Sequence, residues 1–149
     1  MFTKNSVFTR KKALLYVLGA AVLLLILIFL KWRADSAPRL TTTQAREKFL
    51  NSLGWEVDIS SEEYRSVTIP ESLEGVMAEY AKMQREQGLE LESHCGERCE
   101  QYSYVLTNYP DCGGEVIITL YISRGRLIAG DVHTAALDGF MHGIYRGGR

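Results

Sequence analysis

Nowhere in the 149 residues is there a Gly-x-Ser-x-Gly elbow, a His-Glu-x-x-His pair or a glycine-rich phosphate loop. Those patterns present a serine nucleophile, a helical zinc pair and a nest of backbone N–H groups, so the corresponding hydrolase, metalloprotease and nucleotide-binding signatures are missing. Ser36, Ser52, Ser66, Ser93 and Ser123 all lack the flanking glycines of an elbow. The chain is also too short for a barrel enzyme, a multi-span transporter or a repeat array. Basic residues are scarce beyond residue 37. Residues 38–149 hold 11 basic and 17 acidic groups, net −6, whereas residues 1–37 hold six basic and one acidic, net +5. An acidic domain without clustered Lys and Arg excludes a nucleic-acid partner. The hydrophobic share of 46% excludes a disordered chain.

Ala13 to Leu30 reads ALLYVLGAAVLLLILIFL, 18 residues without charge or proline. At about 1.5 Å per residue such a helix measures ~27 Å, close to the ~30 Å hydrocarbon core of a bilayer. The run therefore predicts a single transmembrane helix over 13–30, with the lipid bilayer as its partner. Lys4, Arg10, Lys11 and Lys12 precede it and only Lys31 and Arg33 follow closely. The heavier basic side stays cytoplasmic, which predicts a cytoplasmic leader over 1–12 and a domain outside the cell membrane. A cleaved secretory signal is the competing reading, with Ala34-Asp35-Ser36 as a weak cleavage site, but 18 apolar residues exceed the usual 7–15 of a signal core. No cysteine follows the run directly, so nothing points to a lipoprotein, and no Gly-x-x-x-Gly pattern points to helix pairing.

Residues 31–40 read as a linker, and 41–149 as one α+β domain. Thr41, Thr42 and Thr43 offer N-caps to a short helix near 43–53, with Ala45, Phe49 and Leu53 at helical spacing. Trp55, Val57 and Ile59 alternate as a strand, Ser60 to Glu63 reads as a turn, and Tyr64 to Ile69 as a second strand. Pro70 and Glu71 predict the opening of a longer helix over 71–87, with Leu73, Val76, Met77, Tyr80 and Met83 as its core stripe and Gly88 closing it. Glu90 to Glu100 reads as a polar stretch. Strands over 102–107, 116–122 and 127–134 with short links then predict a C-terminal three-stranded antiparallel meander. Val116, Ile118, Leu120 and Ile122 form its most apolar face, and the helix at 71–87 is the expected cover. The predicted fold is thus an N-terminal transmembrane helix followed by two helices packed on an antiparallel sheet.

Several of these pieces are familiar together. They are Arg46 to Leu50 with Gly54-Trp55-Glu56-Val57; Ile69-Pro70 with Tyr80, Gln84 and Gly88; and Tyr102-Ser103-Tyr104 with Thr107-Asn108-Tyr109-Pro110. Gly130-Asp131 and the ending Gly139-Phe140-Met141-His142-Gly143 complete the set. Over about residues 44–144 the chain resembles the bacterial domain of unknown function DUF4830. That resemblance implies a small extracytoplasmic domain behind a single N-terminal anchor. It implies no established activity and gives no catalytic residues, and no cofactor is expected from the sequence. The chain departs from the family pattern at Ala129, where a second glycine often precedes Gly130-Asp131.

Three constellations remain as site candidates. Cys95 and Cys99 beside His94, with Cys112 further on, suggest zinc by residue type. A hairpin of strands near 100–108 and 115–122 would put Cys112 and Cys99 ~30 Å apart, far beyond the ~7 Å reach of a disulfide. Free thiols or a local Cys95–Cys99 bridge are expected instead, and no metal. Asp131 and His133 are two apart on a strand and so share a face, while His142 follows in the last glycine-rich segment, after Asp138. An acid–base pair is conceivable there, because a carboxylate orients an imidazole and raises its basicity. The bland counterpart is that Asp131 or His142 bonds backbone where the last strand ends. Tyr102, Tyr104, Tyr109 and Tyr121 give either a protein or glycan contact face or ordinary cross-strand packing. The function these features favour is a non-enzymatic binding or sensing module that engages an unidentified protein partner. The alternative is a small cell-surface hydrolase using Asp131, His133 and His142.

Overall fold

The computed structural model describes residues 16–29, 38–110, 114–134, 136 and 139–145. The chain divides into two units, Met1–Ala37 and Pro38–Arg149. In the first unit, residues 16–29 are helical and are labelled α1. Among the described residues no helix is long and apolar enough to cross a membrane. This corrects the expected span over 13–30, and with it the single-pass topology and the placement of the domain outside the cell membrane. The leader 1–12, residues 13–15, Leu30 and the linker residues 31–37 lie outside the described residues.

The second unit opens with α2, Thr43–Ser52, whose N-cap Thr42 accepts from the Ala45 N–H at 3.2 Å. Next comes β1, Val57–Thr68, one strand of 12 residues where two strands and a turn were expected. Asp58 holds the Ser60 amide and hydroxyl, while Ser61 Oγ donates to the Asp58 carbonyl and accepts from the Val105 N–H. These local side-chain bonds mimic a turn in sequence. In the fold they produce a register shift between Asp58 and Glu63, and the strand continues past it.

Helix α3, Val76–Glu86, begins later than its proline suggested, behind Gly75 at φ +57. Its predicted core stripe is also corrected. Leu73 precedes the helix, Val76 is 85% exposed, and the buried positions are Ala81 and Gln84. The stretch read as merely polar holds a 3-10 helix, Leu91–His94, and the start of β2. Strands β2 (Arg98–Leu106), β3 (Val116–Ser123), β4 (Arg126–Thr134) and β5 (Met141–Gly143) complete the sheet. Its order is β1-β2-β3-β4-β5, every neighbour antiparallel. The three-stranded meander is therefore corrected to a five-stranded sheet.

Each face of the sheet has its own core. Val116, Ile118, Leu120 and Ile122 pack with Tyr104, Leu106 and Val132 under Leu40, Trp55, Ile144 and Leu50 of α2. Burying each such aliphatic side chain is worth about 1.5–3 kcal/mol. The cover of this face is α2, where the helix at 71–87 was expected. Helix α3 instead lies on the other face, where Ala81 joins Ile69, Leu91, Cys99, Ile128 and Ala129.

The three-residue β5 leaves part of the β4 edge without a strand partner, and α3 supplies one. Gln84 Oε1 accepts from the Gly130 N–H at 2.9 Å, and Gln87 Nε2 donates to the Gly130 carbonyl at 3.2 Å. Gln87 Oε1 also accepts from the Ile144 N–H at 2.7 Å. Two glutamine amides thus extend the ladder and cap an edge that would otherwise attract another strand.

Candidate functional site

Helix α3 covers only part of its face. Between it, the end of β1 and the middle of the sheet lies a cavity of about 700 Å³. Val67, Ile69, Met77, Met83, Leu91 and Met141 are among its apolar walls. The polar groups converge at one place, built from three elements. Asp131 and His133 alternate onto this face of β4, Thr119 and Tyr121 onto β3, and Tyr80 descends from α3.

Asp131 is 2% exposed and accepts two hydrogen bonds. The Tyr80 hydroxyl donates to its Oδ1 at 2.7 Å, and His133 Nδ1 donates to its Oδ2 at 2.7 Å. A buried carboxylate without such donors would cost several kcal/mol, so these bonds are what permit a charge-bearing group in the cavity wall. Burial first, and then the Asp131 charge, push the Tyr80 hydroxyl far above the ordinary phenol range. The same two causes push Tyr121 up to about 12. His133 is raised above the ordinary imidazole value by its bond to Asp131, against the opposing effect of burial. With Nδ1 committed to Asp131, the His133 side chain is 27% exposed and stands in the cavity wall.

The three sequence candidates do not converge. Asp131 and His133 meet, but His142 pairs across the ladder with Val132 and so sits on the opposite face. There it stacks with Phe140 and Tyr109, ring centroids 5.5 and 5.8 Å away, near Trp55. The Tyr109 hydroxyl bonds Nε2 at 2.9 Å and Nδ1 donates to the Gly143 carbonyl at 2.7 Å. Both ring nitrogens are engaged, which suits a packing role. Of the two residues in the bland reading, His142 bonds backbone, at the Gly143 carbonyl, whereas Asp131 bonds the Tyr80 and His133 side chains. Asp138 and Cys112 lie outside the described residues. Cys95 and Cys99 are free thiols, and burial raises the pKa of Cys99. Among the described residues no group of three His, Cys, Asp or Glu side chains stands close enough to hold a metal ion.

The tyrosines divide as well. Tyr104 is buried on the α2 face, where its hydroxyl accepts from Arg46 Nε at 2.7 Å and donates to Glu62. Arg46, 3% exposed, also bonds the Leu40 carbonyl, Thr43 and Glu62, and its guanidinium lies 3.6 Å over the Tyr102 ring. Every arm of this cluster is engaged within the domain, so it fastens α2 to the sheet. Tyr121 alone of the four reaches the cavity.

Sequence reasoning missed Tyr80, Met77 and Met83 as site residues, because a Met and Tyr stripe at helical spacing reads as core. The one available signal was an acid and a histidine two apart on a strand, a spacing that puts both on one face.

Family models, curated proteins and solved structures contain no match to this chain.

Proposed function

We propose that the domain is a non-enzymatic binding module that takes a small, largely apolar ligand between α3 and the sheet. The observation that carries this reading is the roughly 700 Å³ cavity whose apolar wall is interrupted by Asp131, held between Tyr80 and His133. A few placed polar groups in an apolar cleft of this volume are what small-molecule sites have in common. No Ser or Cys is found among the described residues that line it, Tyr80 donates into Asp131, and Thr119 shares a hydrogen bond with Ser103. A serine or cysteine nucleophile with a base beside it is therefore missing from these lining residues.

The test is calorimetric titration of the full-length chain with octanol, octanoate and octyltrimethylammonium. At least one probe is expected to bind the natural chain and to lose its affinity with Met83→Trp, which fills the cavity. Binding of none of them, or undiminished binding to that variant, contradicts the reading.

A second reading, hydrolysis by a water molecule activated at His133, is favoured by one feature. Asp131 holds Nδ1, the arrangement that frees Nε2 to act as a base. It rests on Asp131 and His133 alone, since His142 lies on the other face. Turnover of a p-nitrophenyl ester that His133→Gln abolishes would favour it over simple binding.

A further inference from the structure

We propose that the ligand of this cavity is an organic cation, an ammonium or quaternary ammonium group carried on an apolar body, a step that rests on the binding reading above. The wall charges decide the sign. Glu79 and Asp131 contribute carboxyl groups, His133 an imidazole, and among the described lining residues there is no Lys or Arg. An entering anion would need a counter-charge, and the one basic group is already matched to Asp131 at 2.7 Å. It would also face Glu79, exposed on the same wall. A cation meets the opposite situation.

Two further features agree. The Tyr80 and Tyr121 rings stand edge to face with centroids 6.2 Å apart, and tyrosine faces attract cations, most effectively when desolvated. The rest of the wall offers polarisable thioethers, Met77, Met83 and Met141, and aliphatic groups, Val67, Ile69 and Leu91, for the ligand body. At longer range, the net −6 of residues 38–149 raises the local concentration of cations around the domain.

The arrangement makes binding depend on pH. His133 bonds Asp131 on its own strand and is paired with Ile117 on β3 and Met141 on β5, and the cavity wall it shares also holds Tyr80 and Glu79 from α3 and Thr119 and Tyr121 from β3. His133 is the imidazole among them, and its bond to Asp131 favours the protonated ring. Its protonated ring repels a bound cation, so affinity for a cation rises as pH passes upward through the raised His133 value.

The full-length chain is titrated with octyltrimethylammonium, octanol and octanoate, three probes sharing one tail, at about pH 5.5 and about pH 8.5. At the higher pH the ammonium probe is expected to bind about tenfold more tightly than octanoate, a ratio within reach of cation–aromatic and carboxylate contacts together. Its affinity should fall several-fold at the lower pH, and Glu79→Gln should weaken the ammonium probe while leaving octanol unchanged. Octanoate binding as tightly as the ammonium probe, or more tightly, overturns the cation class and leaves the binding reading standing. Failure of all three probes to bind overturns both.

Discussion

Asp131 and Tyr80 lie 51 positions apart in the chain, yet the Tyr80 hydroxyl donates to Asp131 Oδ1 across 2.7 Å. With the Gln84 bond to the Gly130 N–H, that bond ties α3 to β4, and it fixes the polar end of the cavity. Tyr80→Phe removes the donor while keeping the ring, leaving the buried carboxylate with one partner fewer. The expected loss is about 1–3 kcal/mol of stability, measured by urea unfolding. A change below about 0.5 kcal/mol would mean that the bond holds nothing in place.

The Asp131–His133 pair gives a stability term with a definite sign in pH. The folded value of His133 lies above its ordinary 6.5 because of the bond to Asp131. The contribution is therefore fully present below about 6.5 and is lost as pH rises through the folded value. Subtracting the unfolding free energy of His133→Gln from that of the natural chain should give a difference that shrinks over this window. A difference that grows with pH contradicts the assignment.

Arg46 fastens α2 through Tyr104, Thr43, Glu62 and the Leu40 carbonyl. Arg46→Ala removes all four bonds and leaves Glu62 without its cation, for an expected cost of about 3–5 kcal/mol in chemical unfolding. Glu62 gives the matching acid signature. Burial alone would raise its carboxyl, but the bonds from Tyr104 and Arg46 outweigh burial and hold it below its usual value. Its stabilising contribution is present above the ordinary glutamate range and is lost as pH falls through the lowered value. Glu62→Gln should flatten the acid limb of the stability profile.

The β4 edge is tested at Gly143. A Cβ there would come within 2.4 Å of Gln87 Cδ. Gln87 is not free to swing away, since it bonds the Gly130 carbonyl and the Ile144 N–H. Gly143→Ala should cost about 1–3 kcal/mol, with faster amide hydrogen exchange at Ile144 as the local sign.

The α2 helix, the alternation of β2 to β4 and the closing Gly88 could be read from residues, because period and capping are local properties. The sheet partners of β1 could not. Asp58, Ser60 and Ser61 form the side-chain bonds that mark a turn, and only pairing with Val105 and Ser103 turns them into a bulge. The same limit explains the mistaken cover. Val76, Met77, Tyr80 and Met83 repeat as a core stripe would, but hydrophobic spacing does not record which sheet face a helix reaches or whether it leaves a cleft. Gln84 and Gln87 look like surface residues in sequence, and their role appears only once β5 proves too short to cover β4. For the site, Asp131 and His133 were visible as neighbours on one strand face. His142 was grouped with them because nearness in sequence cannot show that Val132 is its cross-strand partner.

The most direct test of ligand binding is to follow the side-chain nitrogen resonances of His133 and His142 in the full-length chain by NMR. Each of the three octyl probes is added in turn up to saturation. The expected result is that at least one probe moves the His133 signals while the His142 signals, on the far face of the sheet, stay in place. Stationary His133 signals with every probe, or movement at His142 alone, would place any ligand outside the cavity between α3 and the sheet.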